Sequence, residues 1–293
     1  MPIAILGPTA SGKSAVAVAV ARQVGGTVVN GDPYQAIAGL AIGTGQPDAA
    51  ERGGVPHVGY GELPLSTRPN PTGFGAWVRE RVSACREPVL VTGSGLYLRG
   101  IWDQLSDLPE VPPALVARVR GWGSALGAPV LHRYLAAVDP ARAAALHVND
   151  SARIQRALGL HLGTGKAPST FLSGPDTDIP DGWRVLVVTP GRERQRERVA
   201  ARVAAQVRAG WREEVRGLVA AGHAADLVAL RPLGYAAWME DGDPTGTQAL
   251  VVQETQAYAK RQATWFRNQL PEAPTWDPDT EPLETAFIRL GLS

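Results

Sequence analysis

The stretch GPTASGKS, residues Gly7 to Ser14, follows the short apolar run Ile3 to Leu6 and precedes an apolar-periodic segment, Ala15 to Val24. The spacing fits G-x-x-x-x-G-K-[ST], which works only in one local geometry: a buried strand, a glycine-rich turn and the N-terminus of a helix. Gly7 and Gly12 allow several backbone N–H groups to converge on one anion. Lys13 neutralises charge, and the Ser14 hydroxyl is the natural ligand of a Mg2+ ion bridging phosphates. A parallel α/β sheet that holds a polyphosphate is therefore the starting expectation.

The order of the remaining segments extends that sheet. TVVNGD (27 to 32) reads as a second strand that delivers Asp32 at its carboxyl end. A helix is expected near Phe74 to Cys85, then a buried strand, PVLVT, ending at Thr92, and another, WRVLVVTP, at 183 to 190. Strands alternating with helices argue for a doubly wound parallel sheet, with ligands beyond the carboxyl ends of its strands. Lys13, Asp32 and Ser94 would meet there. Between them, 111 to 180 shows helical segments only, so the expected organisation is a core of 1–110 and 181–293 with an inserted all-helical subdomain at 111–180. One long helix is expected from about Arg192 to Ala221 and another from about Thr247 to Gln269.

Composition excludes several classes. No run of eighteen uncharged apolar residues exists, so no membrane partner is expected, and a soluble cytoplasmic protein is the expectation. Cys85 is the single cysteine, and the five histidines are scattered, which leaves neither a disulfide nor a zinc site. The net charge is +1, but its distribution is uneven: residues 184–267 carry 13 basic against 9 acidic side chains, and residues 1–64 carry 3 against 4. Arginine outnumbers lysine 26 to 3, which singles out Lys13, Lys166 and Lys260. On these features alone a phosphoryl-transfer enzyme of the nucleotide or small-molecule kinase type fits. The end of PVLVT, however, lacks the acidic residue such enzymes commonly place there.

Further motifs narrow the reading. GPTASGKS, DPYQ (32 to 35), GLAIGTGQP (39 to 47), VPH (55 to 57), TGSGLYL (92 to 98), NDSARIQRALGLHLGTGKAPS (149 to 169), RPLGY (231 to 235) and AYAKRQATWFRNQ (257 to 269) resemble, in order and spacing, the tRNA dimethylallyltransferases. All three lysines fall inside these motifs. The resemblance implies a P-loop NTPase-like parallel sheet flanked by helices. It also implies transfer of a dimethylallyl group from dimethylallyl diphosphate to the exocyclic N6 of the adenosine 3′-adjacent to the anticodon in tRNA.

In that reading the loop Gly7, Pro8, Thr9, Ala10, Ser11, Gly12, Lys13 and Ser14 clamps the leaving diphosphate, with Mg2+ at Ser14. Arg198 and Arg202, four apart on one helix face, add guanidinium contacts, their alternative being a solvated face laced with Glu193 and Glu197. Asp32 is the expected catalytic base, and Ser94 orients the aspartate or the amine. Asp32, Pro33, Tyr34 and Gln35 would meet the target adenosine, with Gln35 reading its edge. Ala152, Arg153, Ile154, Gln155 and Arg156, with Arg231 and Gly234, would meet the anticodon stem-loop, and Tyr258 and Trp265 are expected in the core. The expected state is a monomer. Pro33 stands where the family commonly has serine, Ile37 where tyrosine is expected, and Thr92 and Ser94 where G-G-T is usual. A catalytically silent tRNA-binding homologue is the remaining alternative.

Overall fold

Ile3–Leu6 (β1) is an unbroken buried aliphatic strand, and it lies inside a six-stranded sheet rather than at its edge. In the computed structural model, which describes residues 1–105, 108–172, 177–240 and 242–292, the other strands are Thr27–Asn30 (β2), His57–Val58 (β3), Pro88–Thr92 (β4), Arg184–Val188 (β5) and Thr275–Trp276 (β6). Their order is β3-β2-β4-β1-β5-β6 and every pairing is parallel. This is a P-loop NTPase-like α/β fold, with helices on both faces of the sheet.

Alternation along the strands divides the core into two layers. Ile3, Ile5, Val89, Val91, Leu186 and Val188 pack against Val16, Ala17, Val20 and Ala21 of the helix Lys13–Val24. Ala4, Leu6, Val29, Leu90, Val185 and Val187 face Phe74 and Val78 of the helix Pro71–Ala84, and Phe266 near the end of the helix Pro244–Gln269. A third cluster, built on Trp211, Tyr235 and Trp238, joins the helices after β5 to Ile37 and Leu40.

Register decides what the sheet presents at its edge. Leu6 lies opposite Thr92, and Asn30 opposite Val91. The segments that begin at Gly7, Gly31 and Gly93 therefore leave the sheet side by side. Gly31 N–H donates to Val91 O at 2.9 Å and the Thr92 hydroxyl donates to Gly31 O at 2.8 Å, which ties two of these turns together.

The segment expected as one helix from 192 to 221 is two, Arg192–Arg208 and Trp211–Ala220. Gly210 adopts φ 98°, a left-handed conformation that ends the first helix and starts the second.

The chain separates into two compact units, 1–103 with 177–293, and 104–176. The transitions fall there rather than at 110 and 180. At the second one, Thr177 is buried and Ile179 packs into the sheet cluster, so the chain has already rejoined the core before β5. The second unit is helical, with Pro113–Leu126, Ala128–Val138 and Ser151–Thr164 its main helices around Val119, Leu131, Leu135, Ile154 and Leu158.

Candidate active site

Gly7 opens the phosphate loop at φ 149°, and a Cβ there would stand 2.6 Å from Val188 O, so only glycine lets the loop leave β1 beside β5. The turn continues through Ala10 at φ 61° and Gly12 at φ 92° before the helix begins at Lys13. Ser11 N–H donates to Pro8 O at 3.2 Å, and Lys13 Nζ folds back over the loop to the same carbonyl at 3.3 Å. Ser14 is exposed at the helix N-terminus. Burial and the positive charge of Arg202 bring the Lys13 ammonium down to about 8, against the opposing pull of Asp32.

Two arginines from the helix Arg192–Arg208 reach the cleft beside this loop. Arg198 Nη1 donates to Ser11 O at 3.1 Å, while its Nη2 pairs with Asp279 at 2.6 Å. Arg202 Nη2 donates to Thr44 O at 3.1 Å, and burial lowers its pKa while Asp32 and Glu51 oppose that shift. Lys13, Ser14, Arg198, Arg202 and Gln46 line one cleft of about 790 Å³. Its cationic wall and the free helix N-terminus suit a condensed phosphate.

Asp32 stands in a turn fixed by buried Asn30. Asn30 Oδ1 accepts Asp32 N–H at 2.8 Å, and its Nδ2 donates to Asp32 O and Gly59 O, both at 2.8 Å. One carboxylate oxygen of Asp32 accepts Tyr34 N–H at 2.9 Å and Gln35 N–H at 3.4 Å. Among the described residues the other oxygen, Oδ2, has no such donor. Burial, with the Asp32 charge adding to it, raises the pKa of Tyr34, Tyr60 and Tyr258, and Tyr97 is pushed up to about 12 by burial, Tyr34 and Asp32. All four therefore stay neutral donors. Ser94 N–H donates to Thr92 Oγ1 at 3.2 Å.

A carboxylate and a cationic glycine-rich loop thus stand at the carboxyl end of one parallel sheet, and comparison with known proteins gives the chain a family. The IPP transferase family model matches residues 35–269, and an isopentenyl transferase model matches residues 2–58. The chain belongs to the IPP transferase family. It is 40% identical over 285 residues to a tRNA dimethylallyltransferase of Rhizobium leguminosarum, covering 92% of this chain and 95% of that protein. It is 38% identical to the tRNA dimethylallyltransferase of Rhodospirillum centenum, covering 94% and 92%. Among solved structures, the tRNA isopentenylpyrophosphate transferase of Bacillus halodurans superposes with a TM-score of 0.68 at 26% identity, covering 99% of this chain and 96% of that one.

Within this member of the IPP transferase family, the residues expected to meet RNA fall into distinct groups. Tyr34 donates its hydroxyl to Leu230 O at 3.1 Å, and Pro33 is buried. Gln35 Nε2 donates to Thr44 O at 3.0 Å and Gly45 O at 3.1 Å, so its amide nitrogen closes its own loop. Arg231 is exposed at φ 51°. Ala152 and Arg156 are exposed, Arg153 is exposed but pairs with Asp150 at 2.8 Å, and Gln155 donates to Ser151 Oγ at 2.7 Å. Two expectations are corrected. The Ile154 side chain is fully buried in the helical core, and Gly234 is buried at φ 82°, where a Cβ would stand 2.6 Å from Trp211; both serve packing rather than RNA contact. Tyr258, expected in the core, is half-buried, and the Asp32 charge adds to burial in raising its pKa.

Proposed function

We propose that this chain transfers a dimethylallyl group from dimethylallyl diphosphate to N6 of the adenosine 3′-adjacent to the anticodon in tRNA. The observation that carries the reading is the register that brings the phosphate loop after β1 and the Asp32 turn after β2 out at the same end of the sheet, with Lys13 and Arg202 lining one cleft there. Adenine N6 is a poor nucleophile because its lone pair is delocalised into the ring. Its attack on C1 of the allylic group is therefore coupled to loss of an N6 proton, for which Asp32 Oδ2 is the base. The new N6–C1 bond forms as the C1–O bond breaks, and the oxygen keeps that electron pair as diphosphate departs. Lys13, Arg202, Arg198 and the free amides of the loop stabilise the charge that develops.

Mg2+ fits the donor set. It retains several waters and binds mainly through substrate phosphates with one or two protein oxygens. Ser14 supplies one such oxygen, and no cluster of three His, Cys, Asp or Glu occurs among the described residues. Bound there, the ion would neutralise charge on the diphosphate. The tRNA anticodon stem-loop is assigned to Arg231 and to the helical unit through Arg153 and Arg156. No described helix is long and apolar enough to cross a membrane. The proposed state is a monomer acting in the cytoplasm, where its RNA substrate resides.

The test is direct. Wild-type protein, Mg2+, dimethylallyl diphosphate and an unmodified tRNA with adenosine 3′ of the anticodon are incubated, and the tRNA is weighed by mass spectrometry. A gain of one isoprenyl unit is expected. ATP hydrolysis with unaltered RNA would replace this reading with a phosphoryl-transfer one, and binding of tRNA without any product would leave a silent homologue.

A further inference from the structure

Gln262 sits in the buried stripe of the helix Pro244–Gln269, in line with Thr255, Ala259 and Phe266, and is only 6% exposed. A polar side chain at such a position is costly unless both ends of its amide are satisfied. Both are, and by two different parts of the site. Gln262 Oε1 accepts the backbone N–H of Thr9 at 2.8 Å, and Nε2 donates to Gly93 O at 2.8 Å. A second glutamine, Gln195 of the helix Arg192–Arg208, donates to Thr9 O at 3.1 Å. Both backbone polar groups of Thr9 are thereby held by side chains, and its N–H is withdrawn from the anion.

The surroundings leave no slack. A Cβ on Gly93 would stand 2.8 Å from Gln262 Nε2 and 3.0 Å from Gly7 O, so glycine at 93 lets the phosphate loop, the turn after β4 and this side chain close on one another. Three residues beyond Gln262 on the same helix, Trp265 covers Gly95.

We infer that Gln262 is a positioning residue that fixes the diphosphate cradle relative to the catalytic turn, by bridging Thr9 of the phosphate loop to Gly93 beside Ser94. The inference rests on the proposed transferase reading and deepens it. Only a group that both donates and accepts can make this bridge: a carboxylate cannot donate to Gly93 O, methionine offers a weak acceptor and no donor, and a protonated carboxylic acid does both.

The experiment uses the full chain with Gln262→Met and Gln262→Glu. Binding of inorganic diphosphate with Mg2+ is measured by calorimetry, and single-turnover dimethylallyl transfer and KM for tRNA are measured beside it. For Gln262→Met the expected result is roughly tenfold weaker diphosphate binding and a transfer rate down by about a hundredfold, with KM for tRNA within about twofold of wild type. For Gln262→Glu the deficit in diphosphate binding relative to wild type should shrink as pH falls from about 8 to 6 and the buried carboxyl takes up a proton. That recovery distinguishes a bridge from mere packing and remains readable if the methionine variant fails to fold. Wild-type diphosphate binding in Gln262→Met, or a deficit in Gln262→Glu that does not change with pH, would overturn the bridge. A wild-type protein that binds diphosphate yet transfers nothing would overturn the transferase reading alone.

Discussion

In the proposed reaction Asp32 has two tasks, one for each oxygen, and a single substitution separates them. Oδ1 holds the turn by accepting from Tyr34 and Gln35, which leaves Oδ2 to act as the proposed base. Asn at this position keeps an acceptor for the turn and removes the base. Asp32→Asn is therefore expected to slow single-turnover transfer by about 10²- to 10⁴-fold while tRNA affinity in a filter-binding assay stays near wild type; an unchanged rate would remove Asp32 from the chemistry. Lys13 makes a prediction in pH. Its ordinary value of 10.5 falls to about 8 in the folded chain, so between those limits the unfolded chain holds the extra proton. The cost of keeping this ammonium half-buried beside Arg202 is present in full below pH 8, and this residue's contribution to stability rises as pH increases through the window. Diphosphate affinity moves the other way, because the neutral amine attracts no anion. Calorimetric titration from pH 7 to 9.5 should show affinity declining from about pH 8 in the wild type, with Lys13→Met weak and flat throughout.

At the scale of elements, what governs legibility is how many consecutive residues carry a signal. β1, β2, β4 and β5 each present three to five consecutive residues of apolar or β-branched character, and the sequence places all of them within two residues of their observed bounds. β3 and β6 are two residues each, fixed by pairing to β2 and β5 rather than by local pattern. The helix break at Gly210 was visible in principle, as a glycine between two apolar-periodic runs, but periodicity on either side outweighed it. Site residues divide the same way. The loop, Asp32 and the two arginines lie in patterned stretches, whereas Gln262 looks like one polar residue in a core stripe until Thr9 and Gly93 are seen beside it. Gly210 offers a test of its own. The nearest atoms to an added Cβ are Glu213 at 3.6 Å and Ile42 at 3.9 Å, so space is available and only the backbone objects. Gly210→Ala should cost about 1–2 kcal/mol in urea unfolding, and a neutral result would mean that the two helices do not depend on this left-handed residue.

Across the whole molecule, a net charge of +1 supplies almost no long-range attraction to a polyanion, so RNA affinity has to come from local basic groups. The helical unit has its own core, and its helix Ser151–Thr164 divides cleanly: Ile154, Ala157 and Leu158 point inward while Arg153 and Arg156 point out. These two arginines are not equivalent. Arg153 is engaged by the N-cap Asp150 at 2.8 Å, and a phosphate must compete with that carboxylate, whereas Arg156 is exposed without a comparable ion pair among the described residues. If this face tracks the anticodon stem, each phosphate contact releases counterions and steepens the salt dependence of binding. Arg156→Ala should then flatten the slope of log K against log salt by about 0.7–0.9 and weaken tRNA binding severalfold near 0.1 M salt. Arg153→Ala should change the slope by less, and diphosphate binding at the sheet edge should be untouched in both. Equal slopes for Arg156→Ala and wild type, measured by filter binding across a salt series, would take the RNA off this helix and leave Arg231 and the basic stretch after β5 to hold it.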